Sequence, residues 1–480
     1  MATDFVKKRW QALVVLSIVQ LVLVIDDGLV NVAVPSVQRD LGFSQAGLAW
    51  VNSSYVLVFG GLLLVGGRLG DLYGRRRVFH GGVILFGLAS LACGLSQEAW
   101  QLIAARAVQG VGAALISPAA LALITMAFTD GKERGKAFAF WGITAGVGGL
   151  LGVILGGVLT DLVSWRLVFL INVPFALIVA VFTPYLVAES RDEKANRPDL
   201  PGSIAGTAGI ALLIYGLLQL SDPGANKLLL PSFAVSAILL GTFVAIQLKG
   251  RNPLVPKGFM RHRVRTTAFV TMLLMSGAIM AQFFGLSLYL QQVLGFSPLT
   301  TGLALAPQAV ISFLFFPLAG PLINWLGLRI ALPAGLAIMA VGFFLLSDIS
   351  TDSSYWTAVL PSLAIMAAGG PLSFTAITTA AMGDAGDEAG LASGVVDAAQ
   401  EVGIAIGLAM FVTLSASTAG KAGRPDPVSE ASGLGTAFLV GAIVLVVIAV
   451  GSFVGIGKTD LQVAPMGGPP PGEVEDAPAN

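Results

Sequence analysis

Five residues could do chemistry in surroundings that read as hydrocarbon: Asp26, Asp27, Arg106, Asp397 and Glu401. A charge at the centre of a bilayer helix costs about 2.5–3.5 kcal/mol on insertion scales unless it is neutralised, paired or wetted, so each is a functional candidate. At about 1.5 Å of rise per residue, Asp26 lies roughly 13 Å and Arg106 roughly 10 Å from the same edge. The depths predict a pair, with Asp26 carrying a coupling proton and Arg106 tuning it; a static lock between two helices is the competing reading. Asp27, about 100° further round the helix, is expected at the outer rim. Asp397 and Glu401, four residues apart, share a helix face. Two close acids in a low dielectric do not readily carry two charges, which suits them to holding one proton. Glu401 lies roughly 15 Å from the nearer edge, close to the midplane, and Asp397 is shallower.

Other chemistries find no material. One cysteine, Cys93, and two histidines, His80 and His262, supply neither a disulfide framework nor a zinc set nor a Cys/His nucleophile. The chain is thus not expected to be an enzyme, to hold a metal or to need a cofactor. The net charge of +0 and pI near 6.7 argue against a nucleic-acid partner, which requires a concentrated basic surface.

The elements that must position these residues follow from composition. Of 480 residues, 55% are hydrophobic, 59 are glycine and only 11% are charged. An ordinary soluble domain is about 25% charged, so this surface faces lipid. A hydrocarbon core of about 30 Å takes about 20 apolar helical residues to cross. Fourteen such stretches are present, at 11–34, 47–66, 78–96, 99–126, 137–158, 165–187, 203–221, 228–248, 266–290, 301–323, 330–347, 356–380, 393–417 and 434–456. The first exceeds the apolar region of a signal peptide, roughly 7–15 residues, and reads as an uncleaved span.

Most of the 27 Lys and Arg residues fall in loops of one parity: Lys7 to Arg9, Arg75 to Arg77, Lys132 to Lys136, Arg191 to Arg197 and Lys249 to Arg265. The positive-inside rule then predicts a multi-pass protein of the cell (plasma) membrane with both termini in the cytoplasm. The run Gly467-Gly468-Pro469-Pro470-Pro471-Gly472 marks 458–480 as a disordered tail.

The chain also repeats itself. Gly67, Leu69, Asp71 and Gly74 after span 2 recur as Gly320, Leu322, Asn324 and Gly327 after span 10. Glu133, Gly148 and Gly152 recur as Glu388, Gly403 and Gly407 at nearly the same offset. Duplicated halves create an interface at which a site can open alternately to each side. The offset covers eight crossings, so two extra ones separate two halves of six. The expected organisation is a cytoplasmic N-terminus (1–10), a six-helix bundle (11–187), a linker with a two-helix insert (188–265), a second six-helix bundle (266–457) and the tail.

These motifs resemble the major facilitator superfamily, and within it the fourteen-span drug:proton antiporters. The run from Gly67 to Arg77 is similar to the superfamily's loop signature, and Arg106, Gln109, Gly110 and Gly112 to its span 4 signature. The segment from Ile25 to Pro35 is similar to the motif closing span 1, with Gly28 where Thr is usual. Trp165-Arg166, Asn172 and Pro174, and the run from Tyr289 to Pro298, also look like that family. The span 5 motif normally contains Gly-Pro; here Gly152 is followed by Val153, with Gly156 and Gly157 beyond.

The resemblance implies an all-α membrane protein of the major-facilitator type. Its implied activity is proton-coupled efflux of small amphipathic compounds, such as drugs or antibiotics, by alternating access. Its partners would be that compound, protons and the bilayer, and a monomer suffices because one chain holds both halves. A dedicated exporter or facilitator of one metabolite, without proton antiport, is the alternative.

By resemblance, Asp71 and Arg75 help form an inner gate together with Gly67, Gly74 and Arg76, and Asn324 gives the second half a weaker one. Physically, the loop glycines permit close approach and Asp71 is placed to cap a neighbouring helix. Gly148, Gly152 and Gly156 form a ladder for tight packing, while antiport specificity there, with Gly157, rests on resemblance. Asn31, Asn52, Tyr55, Gln109, Gln282, Tyr289 and Gln308 are polar or aromatic residues in spans, and hence candidates for the substrate cavity.

Overall fold

The computed structural model describes residues 2–128, 131–190, 199–220, 226–249, 253, 258–382, 389–418 and 427–457. The tail 458–480, Glu388 and most of the charged connections at 191–198 and 250–257 lie outside the described residues. The helices are α1 (Ala2–Leu41), α2 (Gln45–Tyr73), α3 (Arg75–Gly94), α4 (Ala99–Ala127), α5 (Gly131–Leu162), α6 (Leu167–Leu170) and α7 (Asn172–Leu186). They continue as α8 (Leu200–Gln219), α9 (Asn226–Lys249), α10 (Arg263–Leu288), α11 (Pro298–Leu326), α12 (Leu328–Leu346), α13 (Leu360–Met382), α14 (Ala389–Thr418) and α15 (Pro427–Gly455). Thirteen helical spans among the described residues are long and apolar enough to cross a membrane, one of them formed by α6 and α7 together. The 32-residue α5, with its apolar stretch Val147–Leu162, supplies a fourteenth crossing.

Exposed apolar side chains such as Leu230, Ile238, Trp325 and Trp356 coat the outside, as a lipid-facing surface requires. The molecule is an all-α, multi-pass membrane protein of two six-helix bundles and a two-helix insert. Helices α1 to α7 pack among themselves, as do α10 to α15, while α8 leans on both α2 and α14 and α9 packs on α8. The first bundle meets the second mainly through α2 with α14 and α5 with α11. Since the number of crossings is even, the start of α1 and the end of α15 lie on one side, the terminal side; the opposite side is the far side.

The duplication extends into backbone detail. α1 packs on α5 as α10 does on α14, and α4 gathers α2 and α3 as α13 gathers α11 and α12. Ser44 caps α2 by accepting from the Gly47 amide, and Ser297 caps α11 by accepting from the Thr300 amide. Gly74 (φ 104°) ends α2 and Gly327 (φ 75°) ends α11, a left-handed turn that suits glycine. Positive φ also recurs at Gly42 and Gly295, just before the two serines. All these pairs stand 253 residues apart, the offset of the loop motif.

Glycines set the closest approaches. A Cβ on Gly28 would stand 3.0 Å from the Gly152 Cα, and one on Gly152 would stand 2.8 Å from the Ile25 carbonyl oxygen. The side chain usual at position 28 has no room where two backbones touch, which accounts for Gly28. Gly148 and Gly156 continue the same contact along α1, whereas Gly157 turns to α11, against Pro298 and Leu299. In the second bundle Gly403 and Gly407 lie against Leu273 and Gly277. Gly152→Leu is therefore expected to overpack the α1/α5 seam and cost about 1–3 kcal/mol, read as a lower melting temperature in detergent.

Candidate transport site

Two polar centres lie side by side, one inside the first bundle and one at its seam with the second, and consecutive residues of α1 belong to different ones. Asp26 points into the bundle. Its Oδ2 accepts from Arg106 Nη1 at 2.6 Å, and its Oδ1 accepts from Asn172 Nδ2 at 2.6 Å and Gln109 Nε2 at 3.3 Å. Arg106 also donates from Nε to the Val51 carbonyl at 3.0 Å and from Nη1 to Gln109 Oε1 at 2.7 Å. Its guanidinium lies 4.3 Å from the Tyr55 ring centroid and 5.7 Å from that of Phe169. Gln109 reaches on to Ser90 at 2.8 Å. Both ions are 0% exposed. Five helices, α1, α2, α3, α4 and α7, are thereby joined through one ion pair, whose desolvation is offset by charge-assisted hydrogen bonds.

Asp27 turns the other way. It lines a cavity of about 350 Å³ between the bundles, together with Gln20, Tyr55, Ser117, Trp141, Asp397, Gln400 and Glu401, over an apolar wall that includes Leu23, Phe59 and Ile404. The outer-rim position expected for Asp27 is thus corrected. The docking of α1 on α5 fixes its rotation, and the 100° step then sends Asp26 inward and Asp27 into the cavity. Helices α1, α2, α4 and α5 of the first bundle and α14 of the second contribute, so the cavity belongs to the seam. Gly60 admits α14 here, since a Cβ at that position would collide with the Glu401 Cβ. On the next turn of α2, Leu64 packs against Gly394.

Of the seven proposed cavity residues, only Tyr55 lines this space. Asn31 and Asn52 bond each other at 2.9 Å, Gln282 and Gln308 form a reciprocal amide pair at 2.9 and 3.0 Å, and Gln109 serves the ion pair. Tyr289 donates to the Ser350 carbonyl at 2.7 Å. Each amide has found a partner inside the protein, as a buried polar group must. Gln20, Ser117, Trp141 and Gln400 escaped sequence reasoning. The available signal was Gln400 on the face of Asp397 and Glu401, and Gln20 two turns before Asp27.

On the far side the bundles are fastened together. Ser287 donates to the Asn31 carbonyl at 2.9 Å, Gln291 to the Val32 carbonyl at 3.1 Å, and Gln292 to Gln38 Oε1 at 3.0 Å. Ser297 donates to Asp161 Oδ2 at 2.9 Å. Gln291 and Gln292 sit on a π-helical turn, Tyr289–Val293, at the end of α10, a distortion common at functional sites. Asn31 stands between the two regions: its Nδ2 donates to the Asp27 carbonyl at 2.9 Å and meets Met280 Sδ of α10 at 3.9 Å. The cavity lies on the terminal side of these ties.

The Gly67–Arg77 loop is engaged within its own bundle. Arg75 grips Asp71 at 2.9 Å and takes the Ser190 hydroxyl and carbonyl. The expected cap from Asp71 is corrected: Glu189, after α7, accepts from the Arg76 amide at 3.1 Å and covers the start of α3, while Asp71 is occupied by Arg75. Gly74 touches the Glu189 carboxyl, and Gly67 faces Pro118. Asn324, in the second half, is exposed.

The sequence profile of the Major Facilitator Superfamily matches residues 16–408. The chain is 37% identical to the puromycin resistance protein of Streptomyces alboniger over 417 residues, 85% of this chain and 82% of that one. It is 36% identical to the cephamycin export protein of Amycolatopsis lactamdurans over 445 residues, 92% and 91% of the two chains. It is likewise 36% identical to the lincomycin resistance protein of Streptomyces lincolnensis, with the same coverage. Among solved structures, it resembles a bacterial homologue of the human lysosomal transporter Spinster in an inward-facing, unoccupied conformation. The TM-score is 0.69 at 16% identity, covering 93% of this chain and 97% of that one.

Proposed function

The chain belongs to the Major Facilitator Superfamily and is a transporter, not an enzyme; on that premise we propose that it expels small amphipathic compounds from the cell in exchange for protons. The observation that carries this reading is the cavity in the seam, where Asp27 of one bundle and Asp397 and Glu401 of the other face a single space. Rocking one bundle against the other turns such a space from one side of the membrane to the other. A carboxyl in it takes a proton on one side and releases it on the other. The clustering of basic residues in loops of the terminal side supports a cytoplasmic location for that side, in a plasma-membrane protein. The far-side ties then hold the outer entrance shut while the cavity lies on the cytoplasmic side.

Relatives named for puromycin, cephamycin and lincomycin support an antibiotic-like cargo. Tyr55, Phe59 and Trp141 beside the acids suit a cargo with both a ring and a polar group. Asp71 and Arg75, bonded to each other here, are the pair we assign to bracing the cytoplasmic loop when the cavity turns outward. The chain works as a monomer on this reading, because both bundles are in it.

Everted vesicles energised by respiration test the proposal. Cargo added to the wild-type protein should dissipate the proton gradient, and the Asp27→Asn variant should not respond. Saturable crossing with an undisturbed gradient would instead make the protein a facilitator. A second test uses the far-side ties. In a Gln38→Cys/Gln292→Cys chain, whose native Cys93 is buried, oxidation should stop export and reduction should restore it. Export that continues through the cross-link would rule out opening at that point.

A further inference from the structure

We infer that the two adjacent acids of α1 divide the work: Asp26 is a fixed anchor for Arg106, and Asp27 is the group that gains and loses the transported proton. The inference deepens the exporter reading and rests on it for the direction of transport. Asp26 is 0% exposed and its two oxygens accept from a guanidinium and two amides. Protonating it would leave Arg106 buried and uncompensated and would turn an acceptor into a donor among donors. Asp26 also has no place in the cavity lining.

Asp27 has the opposite surroundings. Its carboxyl lines the cavity and makes no ion pair or hydrogen bond among the described residues. Tyr55 is 4% exposed, lines the cavity, and its hydroxyl has no hydrogen-bond partner among the described residues. Its ring meanwhile covers Arg106. A hydroxyl without a partner in the same cavity as Asp27 can donate to a carboxylate there when it is charged and accept from it when it is protonated.

The ionisable groups around Asp27 come from every side: Asp26 behind it on α1, Arg106 on α4, Tyr55 on α2, and Asp397 and Glu401 on α14. Trp141 of α5 and Ser117 of α4 complete the wall. No Lys or Arg lines the cavity among the described residues, and Arg106 behind it is already paired with Asp26, so the charge of Asp27 is answered by a proton or by a cargo cation. The step is simple: the O–H bond of the Asp27 carboxyl breaks, and the proton passes to water or to a carboxylate on the side then open.

Infrared titration of the purified full chain in liposomes tests this without any cargo. The wild type should show protonated-carboxyl bands whose amplitude changes with pH. Asp27→Asn should delete one of them while keeping the wild-type melting temperature. Asp26→Asn should leave every titrating band in place and lower the melting temperature. Should the Asp26 variant fail to fold, Asn172→Ala, which removes one donor and keeps the carboxyl, should leave the bands unchanged. Titrating bands that all survive Asp27→Asn, or one that vanishes with Asp26→Asn, would overturn the assignment. A gradient indifferent to every cargo would fell the exporter reading and leave the infrared result standing.

Discussion

An Arg106→Ala chain is expected to lose about 3–5 kcal/mol of stability, the cost of stripping one partner from a buried ion pair. The loss is large because Asp26 would remain fully buried with only Asn172 and Gln109 as donors. The Val51 carbonyl and the face of Tyr55 would lose their contacts as well. Five helices meet at this point, so the damage is expected to spread through the first bundle. Thermal unfolding in detergent reads it directly. Arg106→Lys should recover only part of the loss, since an ammonium lacks the planar fork that reaches the Val51 carbonyl from Nε and Asp26 and Gln109 from Nη1. A variant that melts with the wild type would show the ion pair to be dispensable for folding.

The second large effect concerns coupling. Asp27→Asn combined with Glu401→Gln keeps shape and hydrogen-bonding capacity but removes two carboxyls from the cavity. Each proton moved through 100 mV supplies about 2.3 kcal/mol, equivalent to about a 40-fold concentration ratio at 1.4 kcal/mol per tenfold. Loss of one coupled proton should therefore lower the cargo ratio held by energised vesicles about 40-fold, with unenergised exchange continuing. Neither residue has an ion-pair partner among the described residues, so the double variant should fold. Retention of the full gradient would remove both carboxyls from the coupling path.

Much of this architecture was legible in the residues. Apolar run length, the clustering of basic residues and the recurrence of Gly67, Asp71 and Gly74 as Gly320, Asn324 and Gly327 are properties of the chain itself. They depend on bilayer thickness and local turn geometry, which act within one segment at a time. The cost of a charge in hydrocarbon is equally local, and it singled out Asp26, Asp27, Arg106, Asp397 and Glu401 before any helix was placed. Similar depth was also enough to bring Asp26 and Arg106 together as candidates.

Rotation and partnership were not legible. Which of two neighbouring acids enters the cavity depends on how α1 is turned, and that is fixed by Gly28 meeting Gly152 on a helix more than a hundred residues away. Asn31, Asn52, Gln282 and Gln308 look alike in sequence to Gln20 and Gln400, yet the first four pair with one another inside the protein and the last two face the space. The cap on α3 comes from Glu189 because the end of α7 is folded back onto it, leaving Asp71 to Arg75. A side chain's type and depth are thus set by the sequence, because they concern one helix and the lipid. Whether it is anchored or free to exchange a proton is decided by the tertiary structure, because that depends on donors and backbones brought from other helices.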